Sequence, residues 1–194
     1  MISKIFAMPI FHYHVDIPET LIPRIHALME SDKEGRKYSN QGGWQSHDIE
    51  HDPHFVDVIN IIKGCIADAY PKFYPSIETS AKDLQVLSTW INVNRGDNWN
   101  SPHVHPAAHL AGCFYVKVNE NSGPIVFHNP LKELIHHYDI SMSDTVESDT
   151  LKLFEKYKPV SGELILFPAW LFHHVEESND EEERISIAFN TILR

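Results

Sequence analysis

Three histidines, His103, His105 and His109, lie in the segment SPHVHPAAHLAGCFYV, directly before and within a run of apolar residues. His103 and His105 are two positions apart, so on an extended strand both imidazoles project from one face and can bind one metal ion. Pro102 and Pro106 flank the pair and disfavour a helix, in which the two side chains would diverge. The segment contains no Asp or Glu, although most non-haem iron sites include a carboxylate ligand. We predict a metal site here, and the alternative is a pair of solvated loop histidines.

A second histidine pair, His173 and His174, follows the apolar segment LILFPAWLF. Neighbouring residues on a strand face opposite sides of the sheet, so only one of the two imidazoles can point into the fold. The alternation of apolar residues does not say which of the two it is.

Arg184 and Ser186 lie two positions apart in the segment ERISIAFN and would project together from the last strand. A fixed guanidinium beside a hydroxyl is suited to binding a carboxylate, which Arg can hold through two hydrogen bonds. The alternative is an ion pair between Arg184 and one of the three preceding acids, residues 181–183, because an Arg buried without a partner is costly. The sequence alone leaves both interpretations open.

The C-terminal half of the chain carries short strand-like stretches that Gly, Pro and Asn separate. They span residues 85–93, 109–118, 123–128, 163–167, 172–176 and 184–192. Because no helices alternate with them, an antiparallel barrel or a double-sheet jelly roll is favoured. The polar residues 130–157 interrupt the series; we expect a helix over 149–157 and a lid over 130–150.

The N-terminal part of the chain carries one strand-like stretch, residues 4–15, and two helical patterns. The first helix opens at residues 17–20, and the second covers residues 53–70 and is expected to end at Pro71. We find no linker, so we predict a single domain over residues 1–194. In it, an N-terminal strand and helices (1–82) pack on a β core (83–194), which makes the fold class mainly β with N-terminal helices (α+β).

The composition excludes several classes of partner. The chain of 194 residues has 27 acidic and 16 basic side chains, for a net charge of −11. Such a chain repels phosphate backbones and anionic lipids, so we expect neither nucleic acid nor membrane as a partner. The N-terminal stretch lacks the features of a signal peptide, and Cys65 and Cys113 lie in apolar stretches typical of free thiols. These features favour a cytoplasmic protein.

Taken in order, the motifs resemble those of the Fe(II)/2-oxoglutarate-dependent oxygenase superfamily. Within it, the chain is similar to the bacterial and phage 2OG-Fe(II) oxygenases that carry an H-x-H-P segment. The matching segments are Trp90-Ile91-Asn92, His103-Val104-His105-Pro106, Ala111-Gly112-Cys113-Phe114-Tyr115-Val116, Phe167-Pro168-Ala169-Trp170-Leu171-Phe172-His173 and Arg184-Ile185-Ser186.

The resemblance implies a cupin-like double-stranded β-helix (jelly roll) and a hydroxylase-type oxygenase. Its cofactors would be Fe(II), 2-oxoglutarate as cosubstrate, and O2. The implied metal ligands are His103, His105 and His173, which selects His173 over its neighbour. Arg184 and Ser186 would bind 2-oxoglutarate, with Asn92 and Tyr115 lining the same pocket.

One departure from the superfamily pattern affects the metal site: His105 stands where a carboxylate ligand is usual. Either His105 binds iron, or a water takes its place, or the site prefers Zn or Ni. Asp97 and His109 are weaker candidates because they lack the i, i+2 spacing.

Two alternative functions remain open in the sequence. One is a cupin-like metal-dependent dioxygenase or isomerase that does not use 2-oxoglutarate, and the other is a non-catalytic ligand-binding β-barrel. The expected substrate is a small molecule or a peptide side chain, and an exposed sheet edge would allow a homodimer.

Overall fold

The computed structural model describes residues 7–75, 84–137 and 152–193. Within these ranges the chain forms eleven strands: β1 Phe11–His14, β2 Asn40–Gln41, β3 Trp44–Gln45, β4 Leu84–Asn94, β5 Trp99–His103, β6 Leu110–Lys117, β7 Ile125–His128, β8 Phe154–Tyr157, β9 Glu163–Pro168, β10 His173–Val175 and β11 Arg184–Leu193. The helices are α1 Leu21–Ser31, α2 Val56–Phe73, which a 3-10 helix Pro53–Phe55 precedes, and α3 Lys132–His137. No helix in these ranges is long and apolar enough to cross a bilayer.

The strands form two sheets in which every neighbouring pair is antiparallel. The first sheet has the order β1-β9-β6-β11-β4-β3, and the second has the order β2-β5-β10-β7-β8. Of the two architectures considered, the described strands form the double-sheet jelly roll and do not close into a barrel. The prediction of a mainly β fold with N-terminal helices is confirmed.

The two faces of the six-stranded sheet have different roles, and β11 shows how alternation separates them. Ile185, Ile187 and Phe189 are fully buried in the core that this sheet shares with α1 and α2. Burial of each of these apolar side chains stabilises the folded state by about 1.5–3 kcal/mol. Arg184 and Ser186, at the intervening positions, line a cavity on the opposite face. The helices therefore fix the sheet whose other face carries the polar residues.

Gly112, in the middle of β6, is required by close packing on the helix-covered face. A Cβ at this position would lie 2.3 Å from Cζ of Phe189 and 2.7 Å from the carbonyl oxygen of Ile165. The absent side chain lets the Phe189 ring cross over β6.

The N-terminal segment does more than pack on the sheets, because three of its strands extend them. β1 pairs with β9, β2 with β5 and β3 with β4. The division of one domain at residue 83 stays a prediction. Of the strand predicted over residues 4–15, the described part forms only β1, and residues 1–6 lie outside the described ranges.

Two local predictions were wrong. The helix α2 continues past Pro71 to Phe73. The proline lies in the last turn of the helix, and a hydrogen bond from the Tyr74 N–H to the Tyr70 carbonyl (2.8 Å) closes that turn. Residues 154–157, predicted as helix, form strand β8, whose pairing with β7 outweighs local propensity. Of the predicted lid, residues 132–137 form α3, and residues 138–150 lie outside the described ranges.

Candidate active site

Strand register brings His103 and His173 together, although they are 70 positions apart in sequence. They lie directly opposite each other in the antiparallel pair β5–β10. Side chains at directly opposed positions on one face are close neighbours. The two ring centroids are accordingly 4.5 Å apart.

His105 reaches the same point from the loop that follows β5. Its backbone N–H donates to the carbonyl of Ala169 (2.9 Å), which holds this loop against the turn before β10. Nε2 of His105 lies 3.3 Å from Nε2 of His173. Two residues further on, Ala107 has a φ of 64°, a left-handed conformation that is uncommon outside glycine. The extended H-x-H geometry predicted from the sequence thus applies to His103, whereas His105 lies just beyond the strand.

Hydrogen bonds to carbonyl oxygens set the tautomers of two of the imidazoles. Nδ1 of His103 donates to the carbonyl of Ser101 (2.6 Å), and Nδ1 of His173 donates to the carbonyl of Leu171 (2.8 Å). Because a carbonyl only accepts, both Nδ1 atoms carry the proton and both Nε2 atoms present a lone pair. This is the arrangement of histidines that bind metals through Nε2.

The spacing of the three imidazoles suits a single metal ion. One ligand atom from each of His103, His105 and His173 lies within 4.8 Å of the others. Two nitrogens at about 2.1 Å from a metal and at right angles to each other would be about 3 Å apart, close to the 3.3 Å between His105 and His173.

Burial keeps all three imidazoles neutral. Desolvation lowers the pKa of His173 to about 3 and that of His105 to about 4, and it also lowers the pKa of His103. Proximity of the rings adds to the shifts of His173 and His105, because each imidazolium would repel its neighbours. The unprotonated imidazole is the form that binds a metal, so no proton has to be displaced at neutral pH.

No carboxylate joins the three histidines within the part of the chain that the structure describes. Asp97 is an exposed turn residue after β4. Nδ1 of His109 accepts a hydrogen bond from the Leu193 N–H (3.1 Å), so this imidazole contacts the end of β11 and not the three histidines. The two weaker sequence candidates therefore lie elsewhere.

Arg184 is buried without an acidic partner. Its exposure is 3%, and no described carboxylate lies within 4 Å of its guanidinium. Its Nε has no hydrogen-bond partner, and the guanidinium lies 5.5 Å from the centre of the Tyr115 ring. The Arg–Glu pair considered from the sequence is absent, because Glu183 projects from the opposite side and pairs with Arg95 and His26.

Two cavities meet at the histidines. A narrow inner cavity contains the four residues predicted to bind the cosubstrate, Asn92, Tyr115, Arg184 and Ser186. A second cavity, which we call the outer cavity, has a volume of about 720 Å³. Both are lined by Ser39, Trp90, His103 and His105.

Sequence reasoning missed most of the outer cavity. Its unpredicted residues include Arg36 and Lys37, from the connection between α1 and β2, and Gln45 on β3. Arg36 and Lys37 belong to no motif, and the strand pairing β3–β4 brings Gln45 opposite Asn92. The inner cavity also contains Cys113, which the sequence indicated only as an apolar thiol.

A family model for "Putative 2OG-Fe(II) oxygenase" matches residues 88–190, more than half of the chain. The chain belongs to the 2OG-Fe(II) oxygenase family. This oxygenase uses Fe(II), 2-oxoglutarate and O2, as the motifs predicted. Family membership favours this activity over a cupin-like enzyme without 2-oxoglutarate and over a non-catalytic barrel.

Solved structures agree on the fold. A prolyl-4-hydroxylase from Pseudomonas putida aligns over 96% of this chain and 94% of its own, at 11% identity and a TM-score of 0.61. HygX from Streptomyces hygroscopicus, with nickel and 2-oxoglutarate bound, aligns over 95% and 81%, at 10% identity and a TM-score of 0.59. The viral collagen prolyl hydroxylase vCPH from Paramecium Bursaria Chlorella virus-1, a 2OG complex, covers 94% of both chains, at 12% identity and a TM-score of 0.56.

At such low identity these structures establish the fold, which is the double-stranded β-helix predicted. No curated protein sequence matches the chain.

Proposed function

We propose that His103, His105 and His173 bind the Fe(II) of this oxygenase, and that Arg184 and Ser186 bind the distal carboxylate of 2-oxoglutarate. The observation that carries the proposal is the convergence of three neutral imidazoles in the lining of a cavity that also contains Arg184, a buried Arg without a carboxylate partner among the described residues.

The residues of the inner cavity fit the cosubstrate. Oδ1 of Asn92 and Nε of Arg184 are buried without hydrogen-bond partners in the described part of the chain. A buried polar atom left unpaired costs about 1–3 kcal/mol, so a dicarboxylate with a keto group would relieve the cost at the guanidinium. Asn92 and Tyr115 would line the sides of the same ligand.

The chain's own groups would orient the reactants and exclude water. When bound, Fe(II) and 2-oxoglutarate supply an O2-dependent oxidation of a substrate C–H bond, coupled to release of succinate and CO2. The Nδ1 hydrogen bonds of His103 and His173 fix the planes of their rings. The apolar side chains of Ile125, Phe167 and Val175 line the inner cavity and reduce its access to water.

His105 as third ligand leaves the metal site one charge more positive than a carboxylate would. The negative charge of 2-oxoglutarate would offset this difference, so the three neutral ligands are compatible with Fe(II). We further propose a small molecule or a peptide side chain as substrate, rather than nucleic acid, and a cytoplasmic location, in keeping with the net charge of −11.

The test is an anaerobic titration with Fe(II) and then 2-oxoglutarate. We expect one iron per chain and a visible charge-transfer absorption when 2-oxoglutarate is added. His173→Gln should lose both, whereas His174→Gln is the matched control, because the neighbouring imidazole bonds to His128 instead (2.8 Å). A wild-type protein that neither retains iron nor develops the absorption would contradict the proposal.

A further inference from the structure

Most of the described Lys and Arg side chains of this protein pair with a carboxylate, but those that line the active-site cavities do not. The described ranges contain thirteen Lys and Arg residues, since Lys4, Lys82 and Arg194 of the sixteen lie outside them. Nine of the thirteen lie within 4.0 Å of a carboxylate. The other four are Arg36, Lys37, Lys158 and Arg184.

Three of these four unpaired cations line a cavity of the active site. Arg184 lies in the inner cavity, where the anionic cosubstrate is proposed to bind. Arg36 and Lys37 both line the outer cavity. In a chain with a net charge of −11, two cations that have no carboxylate within 4.0 Å among the described residues favour the binding of an anion in this cavity.

Among the described residues, no carboxylate lies within 4.0 Å of Arg36 or Lys37, so the single acid of the outer cavity does not pair with either cation. That acid is Asp48, whose Oδ1 accepts hydrogen bonds from the backbone N–H groups of Thr89 and Glu50 (3.0 Å each). The guanidinium of Arg36 instead donates to the Tyr38 hydroxyl and lies over the Tyr38 ring, 4.4 Å from its centre. The ring leaves the positive charge of Arg36 unneutralised.

Two amide oxygens add a second feature to the same cavity. Gln45 is 5% exposed, and its Oε1 is buried without a hydrogen-bond partner; Oδ1 of Asn190 is in the same state among the described residues. A carbonyl oxygen can only accept, so an N–H or O–H group of a ligand in this cavity would satisfy each of them.

We propose that the substrate of this oxygenase is an anion that also carries N–H or O–H groups. Its negatively charged group binds Arg36 and Lys37, its donors bond to Gln45 and Asn190, and its reacting carbon lies next to His103 and His105. A cavity of about 720 Å³ takes a molecule of up to drug size. The location of the reacting carbon rests on the proposed function, whereas the binding of the anion does not.

Saturation-transfer NMR on protein loaded with Zn(II) and saturating 2-oxoglutarate tests the binding of an anion in the outer cavity. The probes are N-acetyl-L-glutamate, N-acetyl-O-phospho-L-serine and the neutral N-acetyl-L-glutaminamide. We expect transfer to at least one of the two anions and none to the neutral amide, and the anion with the lower Kd identifies the group as carboxylate or phosphate.

Variants locate the binding site. The double variant Arg36→Gln/Lys37→Gln should raise the Kd of the anion at least about tenfold, which corresponds to about 1.4 kcal/mol. Lys158→Gln removes an exposed cation outside both cavities and should leave the Kd unchanged. The inference is overturned if neither anion binds, if the neutral amide binds equally well, or if the double variant binds as the wild type does.

A second measurement distinguishes a failure of this inference from a failure of the proposed function. The Fe(II)–2-oxoglutarate absorption is recorded on the same variants and should persist in the double variant, because Arg36 and Lys37 do not line the inner cavity. Loss of that absorption in the wild type would contradict the metal site and leave the anion binding standing.

Discussion

Replacement of Arg184 by Met should have opposite effects on cosubstrate binding and on stability. If Arg184 formed a structural ion pair, its replacement would lower the stability of the ligand-free protein. Arg184 is 3% exposed and has no acidic partner within the described ranges, so its stabilising partner is expected to be the ligand. Arg184→Met should therefore weaken 2-oxoglutarate binding while leaving the ligand-free protein at least as stable.

The magnitude follows from the hydrogen bonds that are lost. A guanidinium that binds a carboxylate through two charge-assisted bonds gains about 1.5–3 kcal/mol from each. Two such bonds together contribute about 3–6 kcal/mol, so their loss raises the Kd of 2-oxoglutarate by at least about 100-fold, at 1.4 kcal/mol per factor of ten. Replacing a buried charged group by an apolar side chain of similar volume is often neutral or stabilising by about 1–4 kcal/mol.

Arg95→Met is the matched control, because Arg95 is also an Arg close to the β4–β11 end of the sheet. It pairs with Glu183 and its side chain is 55% exposed, so its loss should change stability by less than about 1 kcal/mol and leave 2-oxoglutarate binding unchanged.

Two measurements decide the outcome. Titration of the Fe(II) protein with 2-oxoglutarate, followed by absorption, gives the Kd, and urea denaturation of the metal-free protein gives the free energy of unfolding. If Arg184→Met lowers that free energy by more than about 2 kcal/mol, or leaves the Kd unchanged, the assignment of Arg184 to the cosubstrate is refuted.

Three further predictions concern the ligands and the sheet. His105→Leu should lower iron retention after desalting, and His105→Asp should preserve it by restoring a carboxylate; a Leu variant that retains iron like the wild type would mean that water occupies this position. In the metal-free protein, the pKa of about 3 at His173 lies below the usual 6.5, so as the pH falls below 6.5 the unfolded state takes up the proton first. The free energy of unfolding should then fall by about 1.4 kcal/mol per pH unit between roughly pH 6.5 and 3, and His173→Gln should lessen that slope in urea titrations at several pH values. Gly112→Ala should lower the free energy of unfolding by about 1–3 kcal/mol, because its Cβ would meet the Phe189 ring at 2.3 Å; an unchanged thermal midpoint would contradict this packing.

Alternation along a strand could be read from the sequence, and it accounts for much of the successful prediction. It places Arg184 and Ser186 on one face and gives the extent of strands such as β4, predicted over 85–93 and observed over 84–94. It left the pairing of Arg184 with Glu183 open, and the structure excludes that pair because Glu183 contacts Arg95 and His26. Alternation did not distinguish His173 from His174. That choice depends on which face of β10 points towards the inner cavity. The pairing of β10 with β5, a segment far away in the chain, sets it by placing His173 beside His103.

The features that were not predicted depend on long-range contacts. Residues 154–157 read FEKY, a polar stretch without a pattern, and they become a strand because β7 offers an edge to pair with. The two-residue strands β2 and β3 are too short for any periodicity. Loops and the short strand β3 contribute Arg36, Lys37 and Gln45 to the outer cavity, so the positions of these residues follow from the assembled sheets.

The left-handed turn at Ala107 makes the position of His105 less fixed than the positions of His103 and His173. His103 and His173 are held in a strand ladder, but His105 is carried by a loop whose next turn contains an alanine at φ 64°, a conformation that costs an L-residue about 1–2 kcal/mol. Release of that strain partly offsets the cost of lifting the loop. We therefore expect His105 to be the exchangeable ligand, one that can leave and return while the strand-borne pair keeps the metal in place.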